Sequence, residues 1–100
     1  MARILILDDE EDLVEICGII LQEAGYVVDA ETSPVRALAR ASRVRPDLVL
    51  LDWVMPDLSG DEVLLRLRQG GTADVPVLMM SASPNAATFS RAIGADAFLA

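Results

Sequence analysis

Two residue types that carry much of protein chemistry are missing from this chain of 100 residues, which contains no histidine and no lysine. Without histidine the chain lacks the commonest general base, and a Ser-His-Asp hydrolase is excluded. All eight bases are arginine, and with sixteen acids the net charge is −8. An acidic chain without a basic cluster is a poor partner for nucleic acid or an anionic membrane, whose phosphates attract positive charge. We therefore expect it to bind neither.

Cysteine and long apolar runs are also scarce. The single cysteine, Cys17, excludes an intrachain disulfide, and its helical spacing with Leu13, Ile16 and Ile20 favours a thiol in the core. The longest apolar stretches, such as Leu48–Leu51, are far too short to cross a bilayer, and the first residues do not form a secretory signal. A cytoplasmic protein with a single domain is the expectation.

Short apolar runs of strand length alternate along the chain with longer amphipathic segments. Continuous apolar runs are typical of parallel strands that are covered on both faces, and the second and fifth runs are weaker, as expected at sheet edges. The alternation predicts right-handed crossovers and an α/β fold with a doubly wound parallel five-stranded sheet. The predicted strands are Ile4–Leu7, Val27–Ala30, Leu48–Leu51, Val77–Met80 and Ala97–Leu99.

The amphipathic segments carry start and stop signals that predict four helices. The first runs from about Glu11 to Ala24 and stops at Gly25, a residue suited to the left-handed conformation that ends many helices. The second begins with Ser33 as the N-cap and Pro34 at the first helical position, where an absent N–H removes no hydrogen bond.

The third and fourth helices have similar signals. The third opens at Ser59, with Glu62 three residues later predicting a capping box, and ends at Gly70–Gly71. The fourth repeats the Ser-Pro start at Ser83–Pro84 and ends near Gly94. Helices are therefore expected on both faces of the sheet.

Polar side chains follow three of the predicted strands. Asp8 and Asp9 follow the first, Asp52 the third and Ser81 the fourth. In open α/β sheets, ligands bind at the carboxyl ends of the strands, so a strand order of 2-1-3-4-5 would bring these residues to one edge. Three acids in one crevice repel one another unless a cation or a raised pKa relieves them. The chain has no lysine or histidine to supply a counter-charge, so a bound Mg²⁺ ion is the simplest way to offset the repulsion.

This constellation suits transfer of a phosphoryl group to a carboxylate. Asp52 would be the nucleophile, Asp8 and Asp9 would hold the cation, and Ser81 would donate a hydrogen bond to a phosphoryl oxygen. The plainer interpretation is that aspartate and serine are common at strand ends because they form turns. Asp52 fits that interpretation least well, because an acid that ends a buried strand is costly without a partner.

Four segments resemble, in order and spacing, the receiver domain of two-component response regulators: Ile4–Glu10, Asp52–Gly60, Val77–Ala82 and Gly94–Leu99. The resemblance implies a flavodoxin-like fold with strand order 2-1-3-4-5. It also implies a phosphorelay role, in which Asp52 accepts a phosphoryl group from a histidine kinase or a histidine phosphotransfer protein. The domain would then change the face that it presents to a downstream protein target.

Site roles are carried over residue by residue. Asp8 and Asp9 resemble the acidic pair that binds Mg²⁺ together with Asp52, and the backbone carbonyl of Val54 resembles the third protein ligand. Ser81 matches the switch hydroxyl that moves toward the phosphoryl group. Phe98 matches the switch aromatic, although an ordinary core aromatic is almost as good an explanation.

The chain departs from the family at its end. Receivers have a lysine directly after the fifth strand and then a final helix, whereas this sequence stops at Ala100. We therefore expect residues 1–100 to form a C-terminally truncated receiver without the fifth helix. An apolar strip beside the first helix would be uncovered, which predicts a dimer, a domain-swapped assembly or poor solubility.

Two alternatives remain. The chain could be a receiver-shaped interaction module that cannot be phosphorylated because the lysine and closing helix are absent. It could also be an aspartate-nucleophile phosphatase, but those enzymes need a second acid two residues after the nucleophile, where this chain has Val54. We expect no enzyme activity beyond assistance to its own phosphotransfer and dephosphorylation.

Overall fold

The computed structural model of the chain describes residues 2–52, 59–80 and 97–99. Strands and helices alternate along these residues, as the apolar pattern predicts. The elements are β1 (Arg3–Leu7), α1 (Glu11–Glu23), β2 (Val27–Glu31), α2 (Pro34–Val44), β3 (Leu48–Asp52), α3 (Gly60–Arg68), a 3-10 turn (Gly70–Thr72), β4 (Val77–Met80) and β5 (Ala97–Leu99).

All five strands form one parallel sheet in the order β2-β1-β3-β4-β5. Leu7 near the end of β1 is in register with Glu31 on one side and Leu51 on the other, and Asp52 is in register with Met80. The predicted doubly wound sheet, its strand order and the edge positions of β2 and β5 are confirmed.

Alternate residues of each strand point to opposite sides, so the apolar strands present apolar side chains on both faces of the sheet. Helices pack on both of these faces. Leu5 and Leu7 of β1 belong to a core cluster with α2 and α3, whereas Ile4 and Ile6 pack with Val14 of α1. The partly buried Cys17 packs against this second cluster, so the predicted core position of the thiol is met in part. Leu13, Ile16 and Ile20, whose spacing suggested that position, are exposed. None of the helices described here is long and apolar enough to cross a membrane.

The first two helix boundaries agree with the sequence signals. α1 ends at Glu23, and Gly25 follows with a φ of 97°, a conformation that glycine adopts without strain. Ser33 is the N-cap of α2, its side chain accepts a hydrogen bond from the Arg36 N–H, and Pro34 is the first helical residue.

The capping box predicted for α3 is wrong. Ser59 is the N-cap, but its side chain makes no capping hydrogen bond to the helix backbone. Its hydroxyl instead donates a charge-assisted hydrogen bond to the Asp61 carboxylate, and this contact orients the side chain. The helix ends at Arg68, just before the predicted stop at Gly70–Gly71. The predicted fourth helix lies outside the described residues.

Candidate functional site

The sheet brings the ends of β1 and β3 together. The two strands are adjacent and parallel, so Asp8, which follows β1, and Asp52, the last residue of β3, lie at the same edge. Asp9 continues from β1 toward α1. Three of the acids predicted from the sequence therefore meet where α/β sheets bind their ligands.

The three carboxylates are close enough to share one cation. Asp8, Asp9 and Asp52 each offer an oxygen, and these oxygens all lie within 4.8 Å of one another. In an octahedral Mg²⁺ site with bonds of 2.0–2.1 Å, two ligand oxygens are separated by about 3 Å or about 4.2 Å. Oxygens within 4.8 Å of one another are near enough to approach these separations around one ion, and the all-oxygen donor set is the one that Mg²⁺ prefers.

Asp8 is the most buried of the three. Only 5% of its surface is exposed, whereas Asp52 is half-buried and Asp9 is exposed. The Asp8 Oδ1 accepts a hydrogen bond from the Glu10 N–H at 3.0 Å, and the Asp8 N–H donates to the Glu31 carbonyl at 3.3 Å. The first bond thus holds the carboxyl of Asp8, and the second holds its backbone.

Burial raises the pKa of Asp8, and the neighbouring carboxyl of Asp9 raises it further. The Glu10 N–H opposes this effect because it stabilises the charged form. An ionised Asp8 is therefore costly in the metal-free protein. A divalent cation at this edge would relieve the cost.

The remaining predicted site residues are less fully described. Val54 and Ser81 lie outside the described residues. Phe98 is in β5, where it is in register with Met79 of β4, and its side chain is not described. The structure thus brings together Asp8, Asp9 and Asp52 from the predicted set.

Two residues that contact Asp8 were missed by the sequence prediction. The Glu10 contact is an aspartate turn spanning two residues, which Asp8 at the end of a strand could have suggested. The Glu31 contact depends on the pairing of β1 with β2, and no local pattern indicates it.

Comparisons with known proteins point to one family. A family model described as "Response regulator receiver domain" matches residues 4–100. The DNA-binding dual master transcriptional regulator RpaA of Synechocystis sp. is 41% identical over 83 residues, which cover 82% of this chain and 34% of that protein. The phosphate regulon transcriptional regulatory protein PhoB of Pseudomonas aeruginosa is 40% identical over 81 residues, covering 79% of this chain and 35% of that protein.

A solved structure agrees with these relatives. The chemotaxis protein CheY4 of Vibrio cholerae superposes with a TM-score of 0.91 at 32% sequence identity, covering 99% of this chain and 85% of that one. By contrast, the chain spans only about a third of the length of the curated relatives named above.

Proposed function

This chain belongs to the response regulator receiver domain family, and from that premise we propose that it accepts a phosphoryl group on Asp52 in a two-component phosphorelay. Response regulators receive this group from histidine kinases, so the donor here is a phosphohistidine of a kinase or a histidine phosphotransfer protein. The observation that carries the proposal is the meeting of Asp8, Asp9 and Asp52 within 4.8 Å at the carboxyl edge of the sheet.

The reaction needs a nucleophile and positive charge next to the phosphoryl oxygens. A carboxylate oxygen of Asp52 attacks the phosphorus atom, the P–N bond to the donor imidazole breaks, and its electron pair returns to the ring nitrogen. Mg²⁺, when bound, neutralises the charge on the phosphoryl oxygens. Asp8, Asp9, Asp52 and the Val54 carbonyl would hold the ion. The hydrogen bond from the Glu10 N–H restrains the Asp8 carboxyl beside the other two acids.

The signal would leave the site through two further residues. The Ser81 hydroxyl moves toward the phosphoryl group and donates a hydrogen bond to one of its oxygens. Phe98 swings inward when Ser81 moves. Val54 has no polar side chain with which to position an attacking water, so we expect a long-lived phosphorylated state. A half-life of seconds at room temperature would contradict this expectation.

The phosphodonor docks on α1 in this proposal. Leu13, Ile16 and Ile20 expose 42%, 56% and 59% of their surface along one side of this helix. The helix begins at Glu11, two residues after Asp9, so this side adjoins the acceptor site. Exposed apolar side chains next to a polar site are typical of a protein-binding surface.

A dimer is a second prediction for the same part of the molecule. A groove of about 430 Å³ next to α1 is lined mainly by apolar side chains, which a second copy could cover. Its lining includes Ile4, Leu21, Tyr26, Leu48, Leu50 and Leu78. A monodisperse monomer in solution would exclude this arrangement.

The output is a downstream protein, in this proposal. RpaA is described as DNA-binding, but that description applies to a protein more than twice as long as this chain. The net charge of −8 gives this chain little attraction for nucleic acid. Its cytoplasmic location stays a prediction from the sequence.

An interaction module that is never phosphorylated is the competing function. It stays a competing prediction because residues 1–100 contain no lysine, and receivers use a lysine after the fifth strand to contact the phosphoryl group. Such charge-assisted contacts are the strong ones. Retention of three mutually repelling acids at the site favours the phosphorylated function instead.

Intact-mass spectrometry separates the two functions. The chain is incubated with Mg²⁺ and acetyl phosphate, beside Asp52→Asn and a sample containing a chelator. We expect one phosphoryl adduct on the unmodified chain, removed by hydroxylamine and absent from both controls. A folded chain that gains no adduct at any Mg²⁺ concentration would instead support the interaction module.

A further inference from the structure

An ion-pair network on the sheet edge next to the acceptor site connects α2 to the end of β2. The Arg40 Nη1 lies 3.3 Å from the Glu31 Oε1 and 3.8 Å from the Asp29 Oδ1. Arg3 of β1 donates two hydrogen bonds to Asp29, from Nε at 2.6 Å and from Nη2 at 3.2 Å. One helix and two strands are thereby joined through four charged side chains.

This network is better shielded than most surface ion pairs. The side chains of Asp29 and Glu31 are only 13% and 17% exposed, and Arg40 is 30% exposed. Exposed ion pairs contribute little because water screens them and the side chains lose freedom. A guanidinium shared by two nearly buried carboxylates is more restricted and less screened.

The network is linked to the acceptor site through the backbone of Glu31. The carbonyl of Glu31 accepts the hydrogen bond from the Asp8 N–H, so the end of β2 supports the most buried acid of the site. Among the described strands, β2 is an edge strand that pairs with β1. At its last residue, the ion pair with Arg40 attaches the Glu31 side chain to α2.

We infer that Arg40 is a positioning residue for the Mg²⁺ site: it holds Glu31, and Glu31 holds the backbone of Asp8. The inference rests on the proposed function, because it assumes that Asp8 binds the cation. Outer-shell partners of metal ligands commonly contribute tenfold or more to affinity. Arg40 acts one step farther out, so its removal is expected to weaken Mg²⁺ binding roughly 3- to 10-fold.

The sign of the effect distinguishes positioning from simple electrostatics. Removing a positive charge makes the surroundings of the site more negative, so charge alone predicts tighter binding of Mg²⁺ in an Arg40→Met variant. Positioning predicts weaker binding. Arg36→Met is the matched control, because Arg36 is on the same helix one turn earlier, is exposed, and forms no ion pair with a described residue.

Isothermal titration with Mg²⁺ alone, at a temperature where each variant is folded, measures the Kd. We expect Arg40→Met to bind more weakly than the unmodified chain, Arg36→Met to bind equally or more tightly, and Arg40→Lys to recover most of the affinity. Equal affinities of Arg40→Met and Arg36→Met would overturn the inference. Failure of the unmodified chain to bind Mg²⁺ would overturn the proposed function itself.

Hydrogen exchange gives a readout that does not depend on the metal. The Asp8 amide should exchange several-fold faster in Arg40→Met, while the Leu51 amide in the central strand β3 keeps its rate. Equal acceleration of both amides would show a general loss of stability and contradict positioning. If Arg40→Met does not fold, Glu31→Gln removes the same ion pair. The exchange rates of the Asp8 and Leu51 amides in that variant then test the inference in the same way.

Discussion

Replacing Asp8 by asparagine is expected to stabilise the metal-free fold and to abolish its response to Mg²⁺. Asparagine has the same shape, and its side-chain oxygen can still accept the hydrogen bond from the Glu10 N–H. The substitution removes one charge from three carboxylates that lie within 4.8 Å of one another. Two of the three repulsive pairs therefore disappear.

The size of the effect follows from that spacing. Two unit charges at 4.8 Å repel by about 3.5 kcal/mol at an effective dielectric constant of 20, and by about 0.9 kcal/mol in water. Asp9 is exposed and Asp52 is half-buried, so the true values lie toward the lower figure. We expect a net gain of about 1–2 kcal/mol at pH 7, which raises Tm by roughly 5–10 °C in a domain of this size.

The gain should depend on pH in a definite direction. Because the pKa of Asp8 is raised in the fold, folding stability falls as pH rises from the unfolded pKa of about 3.9 through the folded value. The advantage of Asp8→Asn is therefore full at neutral pH. It should vanish below about pH 3.9, where Asp8 is protonated in both states.

Thermal unfolding with and without Mg²⁺ provides the assay. At a Mg²⁺ concentration one hundred times Kd, binding stabilises the unmodified chain by about 2.7 kcal/mol, and the variant should gain nothing. The order of stability then reverses when the metal is added. Asp74→Asn, which removes an exposed acid just before β4, is the control. Lower stability of Asp8→Asn in metal-free buffer at pH 7 would refute the reasoning.

Two further predictions concern stability away from the site. The hydrogen bonds from Arg3 lower the pKa of Asp29, so its stabilising contribution is present above the unfolded pKa of about 3.9 and is lost as pH falls through the lower folded value. Asp29→Asn should cost about 1–2 kcal/mol in urea unfolding at pH 7, and a cost that persists undiminished at pH 3 would contradict this. Gly25→Ala should cost about 1–2 kcal/mol because its φ is 97°. Gly18 lies inside α1, and a Cβ added there would be 3.7 Å from the Val28 Cγ1, an ordinary contact. Gly18→Ala should therefore stabilise the fold by up to about 1 kcal/mol, and equal effects of the two changes would refute the backbone argument.

Much of the fold was predictable because its signals are local. The continuous apolar runs at Ile4–Leu7 and Leu48–Leu51 predict strands buried on both faces, and the structure places them at the centre of the sheet. Gly25 and the Ser33–Pro34 pair mark helix boundaries through their own backbone preferences. These signals do not depend on residues distant in sequence, so the elements that they predict are found in the structure.

Predictions failed or fell short where the local structure depends on residues distant in sequence or on a competing hydrogen-bond partner. β2 continues to Glu31, one residue past the predicted end, and its two acids are stabilised by arginines on β1 and α2. The Ser59 hydroxyl prefers the Asp61 carboxylate, a competitor that the capping-box pattern does not consider. Each outcome depends on a particular partner, which residue patterns do not identify.

At the candidate site, too, the features with local signals were predicted and those that depend on distant residues were not. Acids at the ends of two apolar strands indicated that Asp8, Asp9 and Asp52 would meet, because parallel strands end at one edge of a sheet. Which of them would be buried could not be predicted. The burial of Asp8 depends on its backbone contacts with Glu10 and Glu31, and the second of these needs the pairing of β1 with β2.

The most direct test of the central claim is to locate the phosphoryl group on the chain. After incubation with Mg²⁺ and acetyl phosphate, borohydride reduces an aspartyl phosphate to homoserine, and peptide sequencing by mass spectrometry identifies the converted residue. We predict homoserine at Asp52 alone, and none when Mg²⁺ is withheld. Conversion at Asp8 or Asp9, or at Asp52 to the same extent without Mg²⁺, would contradict the claim that Asp52 is a metal-dependent phosphoryl acceptor.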